Sequence, residues 1–204
     1  MKHLKLTRTE HDVVRSQLEV LEAETNKIIG SANCPMNKPK WCSTVSLRIR
    51  DKVYTLKGHG PCADLDVSGD DLSGQMHTAK LGDVTEYSTE NVVRATIDGQ
   101  EYTMYVVGKG RAGQFLCIYR EIMNGDVEIA QVHKPRVVNV LDEYELLALD
   151  DKASVIALLF ALFYDYLIDE MLMTKVTKAK SFKFNHTFNR KLKSKYDPHF
   201  GEGA

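Results

Sequence analysis

One strongly hydrophobic stretch limits the folds that this chain can adopt. Residues 153–164 read ASVIALLFALFY, twelve residues without a charge. A helix needs about 20 apolar residues to cross a bilayer core, and shorter runs are typical of buried helices. Asp165, Asp169 and Glu170 then interrupt the apolar run. We therefore predict a buried helix over residues 152–173 and no transmembrane span.

The apolar side chains of this predicted helix lie on all of its faces: Val155, Ile156, Leu158, Leu159, Phe160, Leu162, Phe163, Leu167 and Ile168. A helix of this kind has to be enclosed on every side. Asp150 and Asp151 precede it, where a side-chain N-cap and negative charge near the positive end of the helix dipole are favourable.

Much of the chain before the helix reads as short strands joined by tight turns. Asp98-Gly99 and Asn124-Gly125 are good hairpin turns because these residue types tolerate positive φ. The strands predicted around these turns and around Arg50-Asp51 are 43–49, 52–58, 91–97, 101–107, 114–122 and 126–134, with a further strand at 143–149. Residues 18–32 fit either a helix or a hairpin that turns at residues 24–27, and the hairpin is slightly favoured.

Many short strands and one hydrophobic helix predict a mainly β (α+β) fold. The economical arrangement is a closed antiparallel β-barrel around the buried hydrophobic helix, because closure leaves no free sheet edge. A β-sandwich with the helix capping one open end is the alternative. Since 204 residues suit one domain, we predict a single domain over residues 1–204, with residues 175–204 as a basic C-terminal extension.

Four segments carry a resemblance to a known family. They are IAQVHKP (129–135), LLALDD (146–151), ALLFALFYDY (157–166) and KYDPHF (195–200), and they resemble small bacterial proteins with a tubby C-terminal-like domain. This superfamily includes the tubby, phospholipid scramblase and LURP-one-related proteins. The resemblance spans about residues 100–200 and implies a β-barrel of roughly twelve strands around a hydrophobic central helix. It also implies binding rather than catalysis, since tubby binds phosphoinositides and scramblases associate with bilayers.

A basic segment near the C-terminus is the candidate binding site. Residues 175–195 contain eight bases and no acid: Lys175, Lys178, Lys180, Lys183, Arg190, Lys191, Lys193 and Lys195. Each base near an acidic membrane contributes about 1 kcal/mol, so we predict a module that binds anionic lipid head groups or a membrane surface. The alternative is a solvated basic tail that binds no ligand and keeps the protein soluble. The net charge of -1 argues against a dedicated nucleic-acid binder.

A zinc-binding protein that uses the region from Cys34 to Cys62 is an alternative hypothesis, and no catalytic site is expected. Cys34, Cys42, His59 and Cys62 are weak candidate zinc ligands, because structural zinc sites use closely spaced pairs and only the last two residues have that spacing. Cys117 alternates with Phe115 and Tyr119 and is expected to pack with them on one strand face. No nucleophile or phosphate-binding motif occurs. We therefore predict a non-enzymatic protein without a cofactor.

Charge and cysteine patterns give the remaining expectations. Residues 64–101 hold nine acids against two bases, so a second hypothesis is a protein-interaction domain whose acidic middle and basic end contact other chains. The stretch DLDVSGDD (64–71) is interpreted as an acidic loop, without the glutamate of an EF-hand. The N-terminus lacks a signal-peptide pattern and no Cys-x-x-Cys pair occurs. We predict a cytoplasmic protein that can lie at a membrane surface.

Overall fold

The computed structural model describes residues 1–36, 42–58, 64–78, 92–108, 114–134, 143–169 and 192–202. Within these ranges the chain forms the strands β1 (Lys2–His11), β2 (Arg15–Glu22), β3 (Ile28–Pro35), β4 (Thr44–Ile49), β5 (Lys52–Gly58), β6 (Asp64–Gly69), β7 (Ser73–Thr78), β8 (Val92–Ile97), β9 (Gln100–Gly108), β10 (Gln114–Arg120), β11 (Val127–Lys134) and β12 (Glu143–Ala148). The helix α1 (Asp151–Phe163), a π-helical turn (Tyr164–Asp169) and a short 3-10 helix (Lys193–Lys195) follow.

The strands form a closed antiparallel barrel in which each strand pairs with its neighbours in the chain, and β12 pairs with β1. Leu4 lies opposite Leu146, and Leu6 lies opposite Tyr144. These four side chains are buried and alternate with more exposed ones, as expected of strands with one face towards a core. The predicted barrel is confirmed, and the sandwich alternative is wrong.

The helix α1 occupies the centre of this barrel. Its ten buried residues cover all of its faces, and Leu158, Leu159 and Phe160 are completely inaccessible to solvent. Burial of each such large apolar side chain contributes about 1.5–3 kcal/mol. The predicted N-cap is present, because the Asp150 carboxylate accepts a hydrogen bond from the backbone N–H of Ala153 at 2.7 Å. The regular α-helix ends at Phe163, before the predicted end, and residues 170–173 lie outside the described ranges.

The hairpin over residues 18–32 and the predicted strands after it are confirmed. The interpretation of residues 64–71 as a loop is wrong, because Asp64–Gly69 forms β6. Leu65 and Val67 face the core, while Asp64 is exposed and Asp66 is half-buried and accepts a hydrogen bond from Gln75. The alternation of acidic and apolar residues is therefore that of a strand with one face towards the core and one face towards solvent.

The two ends of the barrel differ. At one end, here called the hairpin end, lie the turns 23–27, 50–51, 70–72, 98–99 and 121–126, together with the start of α1. At the opposite end, here called the helix-exit end, lie the turn 12–14 and the π-helical turn after α1. The helix therefore runs through the barrel from the hairpin end to the helix-exit end.

Candidate functional site

A cleft of about 730 Å³ opens at the hairpin end. The first turns of α1 and the surrounding strands give it an apolar floor, which includes Leu4, Ile29, Ile49, Leu72, Val155 and Leu158. Charged residues of the hairpin turns and of the strand ends form its rim. Clefts of roughly 300–1,000 Å³ with apolar walls and a few polar groups are typical binding sites for small molecules.

Ion pairs hold the rim of this cleft in place. Lys2 lies 3.1 Å from Asp151 of α1, and the Lys52 ammonium lies 2.6 Å from the Asp71 carboxylate. The Tyr54 hydroxyl donates to the other oxygen of Asp71 at 2.9 Å. The hydrogen bond from Lys52, followed by that from Tyr54, lowers the pKa of Asp71 below its usual value. Asp71 is therefore a carboxylate at neutral pH and joins two turns to the edge of the cleft.

A second contact fixes the start of the helix to the barrel. Asp98 accepts hydrogen bonds from the Ser73 backbone N–H at 2.9 Å and from the Lys152 ammonium at 3.0 Å. The backbone bond, and then the bond from Lys152, lower the pKa of Asp98. Asp98 has a φ of 51° and is followed by Gly99 with a φ of 74°, as the predicted Asp-Gly turn requires.

A polar cluster lies inside the barrel at the helix-exit end. The Arg8 guanidinium lies 2.5 Å from the Asp165 carboxylate, and their side chains are 6% and 4% exposed. The Tyr144 hydroxyl also donates to Asp165, and the Lys134 ammonium lies 5.0 Å from the centroid of the Tyr144 ring. Two cations therefore lie close to the C-terminal end of α1, where positive charge is favourable. This cluster joins the π-helical turn to β1 and β12.

The C-terminal residues 192–202 pack on the outer face of the barrel. Leu192 is buried with Val92, Tyr105, Val107 and Cys117, and Phe115, Tyr119 and Tyr196 pack against this group. The expected packing of Cys117 with Phe115 and Tyr119 is confirmed. Burial raises the pKa of the Cys117 thiol far above its usual range, so this cysteine stays a neutral thiol at physiological pH.

Glu128 lies half-buried under this C-terminal segment. Gln131 donates a hydrogen bond to its carboxylate at 3.0 Å, and the other carboxylate oxygen lies 3.4 Å from the Tyr119 hydroxyl oxygen. Burial raises the pKa of Glu128 from an ordinary 4.5 to about 7, and the nearby Asp197 carboxylate adds to this increase. Gln131 also donates to the backbone carbonyl of Asp197 at 2.8 Å. Glu128 therefore lies at the interface between the C-terminal residues 192–202 and the outer face of the barrel.

Two of the predicted anion-binding bases lie in the described ranges. Lys193 is exposed. The Lys195 ammonium lies 4.7 Å and 5.0 Å from the ring centroids of Tyr105 and Tyr119, and 3.7 Å from Asp126. Lys195 therefore already has partners on the barrel. The other predicted bases, Lys175, Lys178, Lys180, Lys183, Arg190 and Lys191, lie outside the described residues.

The weak candidate zinc ligands are only partly described. Cys34 is buried on β3, with its side chain in the core, and Cys42 is exposed. His59 and Cys62 lie outside the described ranges. Among the residues that the structure describes, no group of three or more His, Cys, Asp or Glu side chains is placed to hold a metal ion.

Sequence reasoning missed the cleft, the Arg8–Asp165 pair and the half-buried Glu128 with its raised pKa. The cleft is built from turns that are scattered along the chain, and Arg8 and Asp165 are 157 positions apart. A weak signal for Glu128 was available, because it precedes the apolar run Ile129-Ala130 in a predicted strand. Its burial, however, depends on the C-terminal segment.

No family model, curated protein or solved structure matches this chain. The resemblance to tubby C-terminal-like proteins therefore stays a prediction, as does the division into a domain and a basic extension. In the part of the chain that the structure describes, no helix combines the length and the apolar character that crossing a membrane requires.

Proposed function

We propose that this protein is a non-enzymatic binding module that contacts an anionic surface, such as acidic lipid head groups, through its basic segment 175–195. The observation that carries the proposal is that the chain is fixed at the helix-exit end both before residue 170 and after residue 191, and this range contains six of the eight bases. On the N-terminal side, the Tyr166 hydroxyl donates to the Pro35 carbonyl at 2.9 Å, and Asp165 pairs with Arg8.

On the C-terminal side, Leu192 is buried between Val92 and Val107, which lie at the helix-exit ends of β8 and β9. The described residues on both sides of 170–191, the range that carries six of the eight bases, therefore lie at the helix-exit end, which supports the proposal that these charges act together there. The turn between β1 and β2 adds two exposed apolar side chains at the same end, since Val13 is 85% and Val14 is 50% exposed. Basic charge next to exposed apolar residues suits a membrane surface.

Vesicle sedimentation tests this proposal. The full chain should be retained on vesicles that contain acidic lipid, should be released by salt, and should stay in solution with purely zwitterionic vesicles. Replacing Lys180 and Lys183 by glutamine should weaken retention about thirtyfold, since each base contributes about 1 kcal/mol.

The matched control replaces Lys27 and Arg48, which are exposed near the hairpin end, by glutamine. This variant has the same net charge as the first one but keeps the basic segment, so its retention should equal that of the unmodified chain. Equal loss in both variants would mean that total charge matters and the segment does not. Equal retention on both kinds of vesicle, or on neither, would refute the proposal.

A further inference from the structure

The cleft at the hairpin end has unbalanced charges around an apolar floor. Three of its lining cations are already in ion pairs, because Lys2 pairs with Asp151, Lys52 with Asp71, and Lys152 with Asp98. Besides the Met1 α-ammonium, Arg50 is the lining cation for which the described residues provide no acidic partner within 4 Å. These ion pairs neutralise the charge on much of the rim.

The remaining acids outnumber this arginine. Glu22, Glu24 and Asp51 line the cleft, and no base among the described residues pairs with any of them. Glu22 is half-buried and accepts a hydrogen bond from the Thr25 hydroxyl at 3.0 Å, whereas Glu24 and Asp51 are exposed. Three carboxylates against the Arg50 guanidinium and the Met1 α-ammonium leave one negative charge in excess, which favours a ligand that carries a positive charge.

The floor favours a ligand with an apolar body. Val155 of α1 is half-buried at the base of the cleft, and the half-buried side chains of Ile29 and Ile49 belong to the same lining. A ligand that covers this floor would remove apolar surface from water, which is the main source of affinity in pockets of this size. The cleft therefore combines an apolar base with an acidic rim.

We propose that this cleft binds a small cationic amphiphile, with its apolar body on the half-buried side chains of Ile29, Ile49 and Val155 and its positive group between Glu22, Glu24 and Asp51. The site lies at the hairpin end, whereas Tyr166, Leu192 and the turn 12–14, which support the proposed function, lie at the helix-exit end. It is therefore independent of the proposed contact with an anionic surface.

Three probes with the same apolar body test the proposal. Octylammonium, octanol and octanoate are titrated separately into the full chain, and binding is followed by calorimetry and by NMR shifts of the lining residues. Octylammonium should bind more tightly than octanol, and octanol more tightly than octanoate. Octanoate binding as tightly as octylammonium would overturn the assignment of a cationic ligand, and no shift at the lining residues with any probe would overturn the site.

Two variants separate the contribution of the rim from that of the floor. The variant Glu22→Gln, Glu24→Gln, Asp51→Asn should bind octylammonium on the order of tenfold more weakly, since exposed ion pairs contribute little individually, and octanol unchanged. The control variant Glu19→Gln, Glu143→Gln, Glu145→Gln carries the same change of charge on strands outside the cleft and should bind all probes normally. Equal effects of the two variants would overturn the role of the rim.

Val155→Phe should fill the floor and weaken binding of all three probes at least tenfold. Its circular dichroism spectrum should match that of the unmodified chain, which shows that the barrel is intact. A folded Val155→Phe variant that binds octylammonium normally would place the site elsewhere.

Discussion

Replacing Glu128 by glutamine should stabilise the protein at alkaline pH and leave it unchanged in acid. The buried carboxyl has a pKa of about 7 in the folded chain, against 4.5 for an ordinary glutamate. The folded state therefore binds the proton more tightly than the unfolded state does. The stability that this proton provides is present below pH 4.5, decreases as the pH rises towards 7, and is lost above pH 7.

The size of the effect follows from these two pKa values. Their difference corresponds to about 3 kcal/mol. Glu128 is partly exposed, and screening by solvent reduces this figure to roughly 1–2 kcal/mol. Glutamine has nearly the same shape and keeps a carbonyl oxygen to accept the hydrogen bond from Gln131. Its amide can donate to the Tyr119 hydroxyl, which itself donates to the Lys195 carbonyl at 2.9 Å.

Urea unfolding at pH 5 and pH 8, followed by circular dichroism, measures this difference. Glu128→Gln should raise the free energy of unfolding by roughly 1–2 kcal/mol at pH 8 and by less than about 0.5 kcal/mol at pH 5. Glu143→Gln is the control, because Glu143 is exposed on β12 and should change stability by less than about 0.5 kcal/mol at either pH. The same increase at both pH values, or a loss at pH 8, would contradict the reasoning.

Thiol labelling gives a local measurement of the same effect. Cys117 is fully buried in the cluster that contains Leu192, so a reagent reaches it when the C-terminal segment leaves the barrel. Glu128→Gln should slow the labelling of Cys117 at pH 8, because it removes the buried carboxylate that disfavours docking of the segment. An unchanged rate would show that Glu128 does not control docking.

Three further predictions concern the helix, the Arg8–Asp165 pair and strand β7, and each is measured by urea unfolding. Phe160→Ala should cost about 3–5 kcal/mol, since the ring is fully buried in α1; a cost below about 1 kcal/mol would contradict an enclosed helix. Asp165→Asn should cost about 3–5 kcal/mol by leaving Arg8 without its carboxylate, and Arg8→Met combined with Asp165→Leu should recover part of that loss. Gly74→Ala should destabilise by about 1–3 kcal/mol, because its Cβ would lie 1.9 Å from the Thr96 carbonyl oxygen.

The features that the sequence predicted correctly are those encoded locally. Residues 153–164 are apolar on every face, and the turns at Asp98-Gly99 and Asn124-Gly125 contain residues that adopt positive φ. The enclosure of the helix then follows from a general rule. A helix that is apolar on every face has to be buried on every face, and most of the rest of this chain forms short strands that can bury it. Local signals were sufficient for the fold class.

The features that were missed depend on contacts between distant residues. Leu4, Leu6 and Arg8 lie on the inner face of β1. Because Arg8 is charged, it interrupts the alternation of apolar and polar residues by which a strand is recognised in a sequence. The arginine is tolerated because Asp165 lies beside it at the end of α1. No local sequence pattern predicts that Asp165 lies beside Arg8. Nor does one predict that the charged turns at the hairpin end lie together around the cleft.

The two proposals assign opposite ends of one barrel to two different ligands, so the orientation of the bound protein tests them together. Met123 is fully exposed at the hairpin end, and Val13 is 85% exposed at the helix-exit end. Single cysteines are placed at these positions in a Cys42→Ser background, because Cys42 is itself exposed. On acidic vesicles, a membrane-impermeant thiol reagent should label Met123→Cys as fast as in solution and Val13→Cys at least tenfold more slowly. Protection of Met123→Cys instead would mean that the cleft faces the membrane, and equal labelling at both positions would refute binding through the helix-exit end.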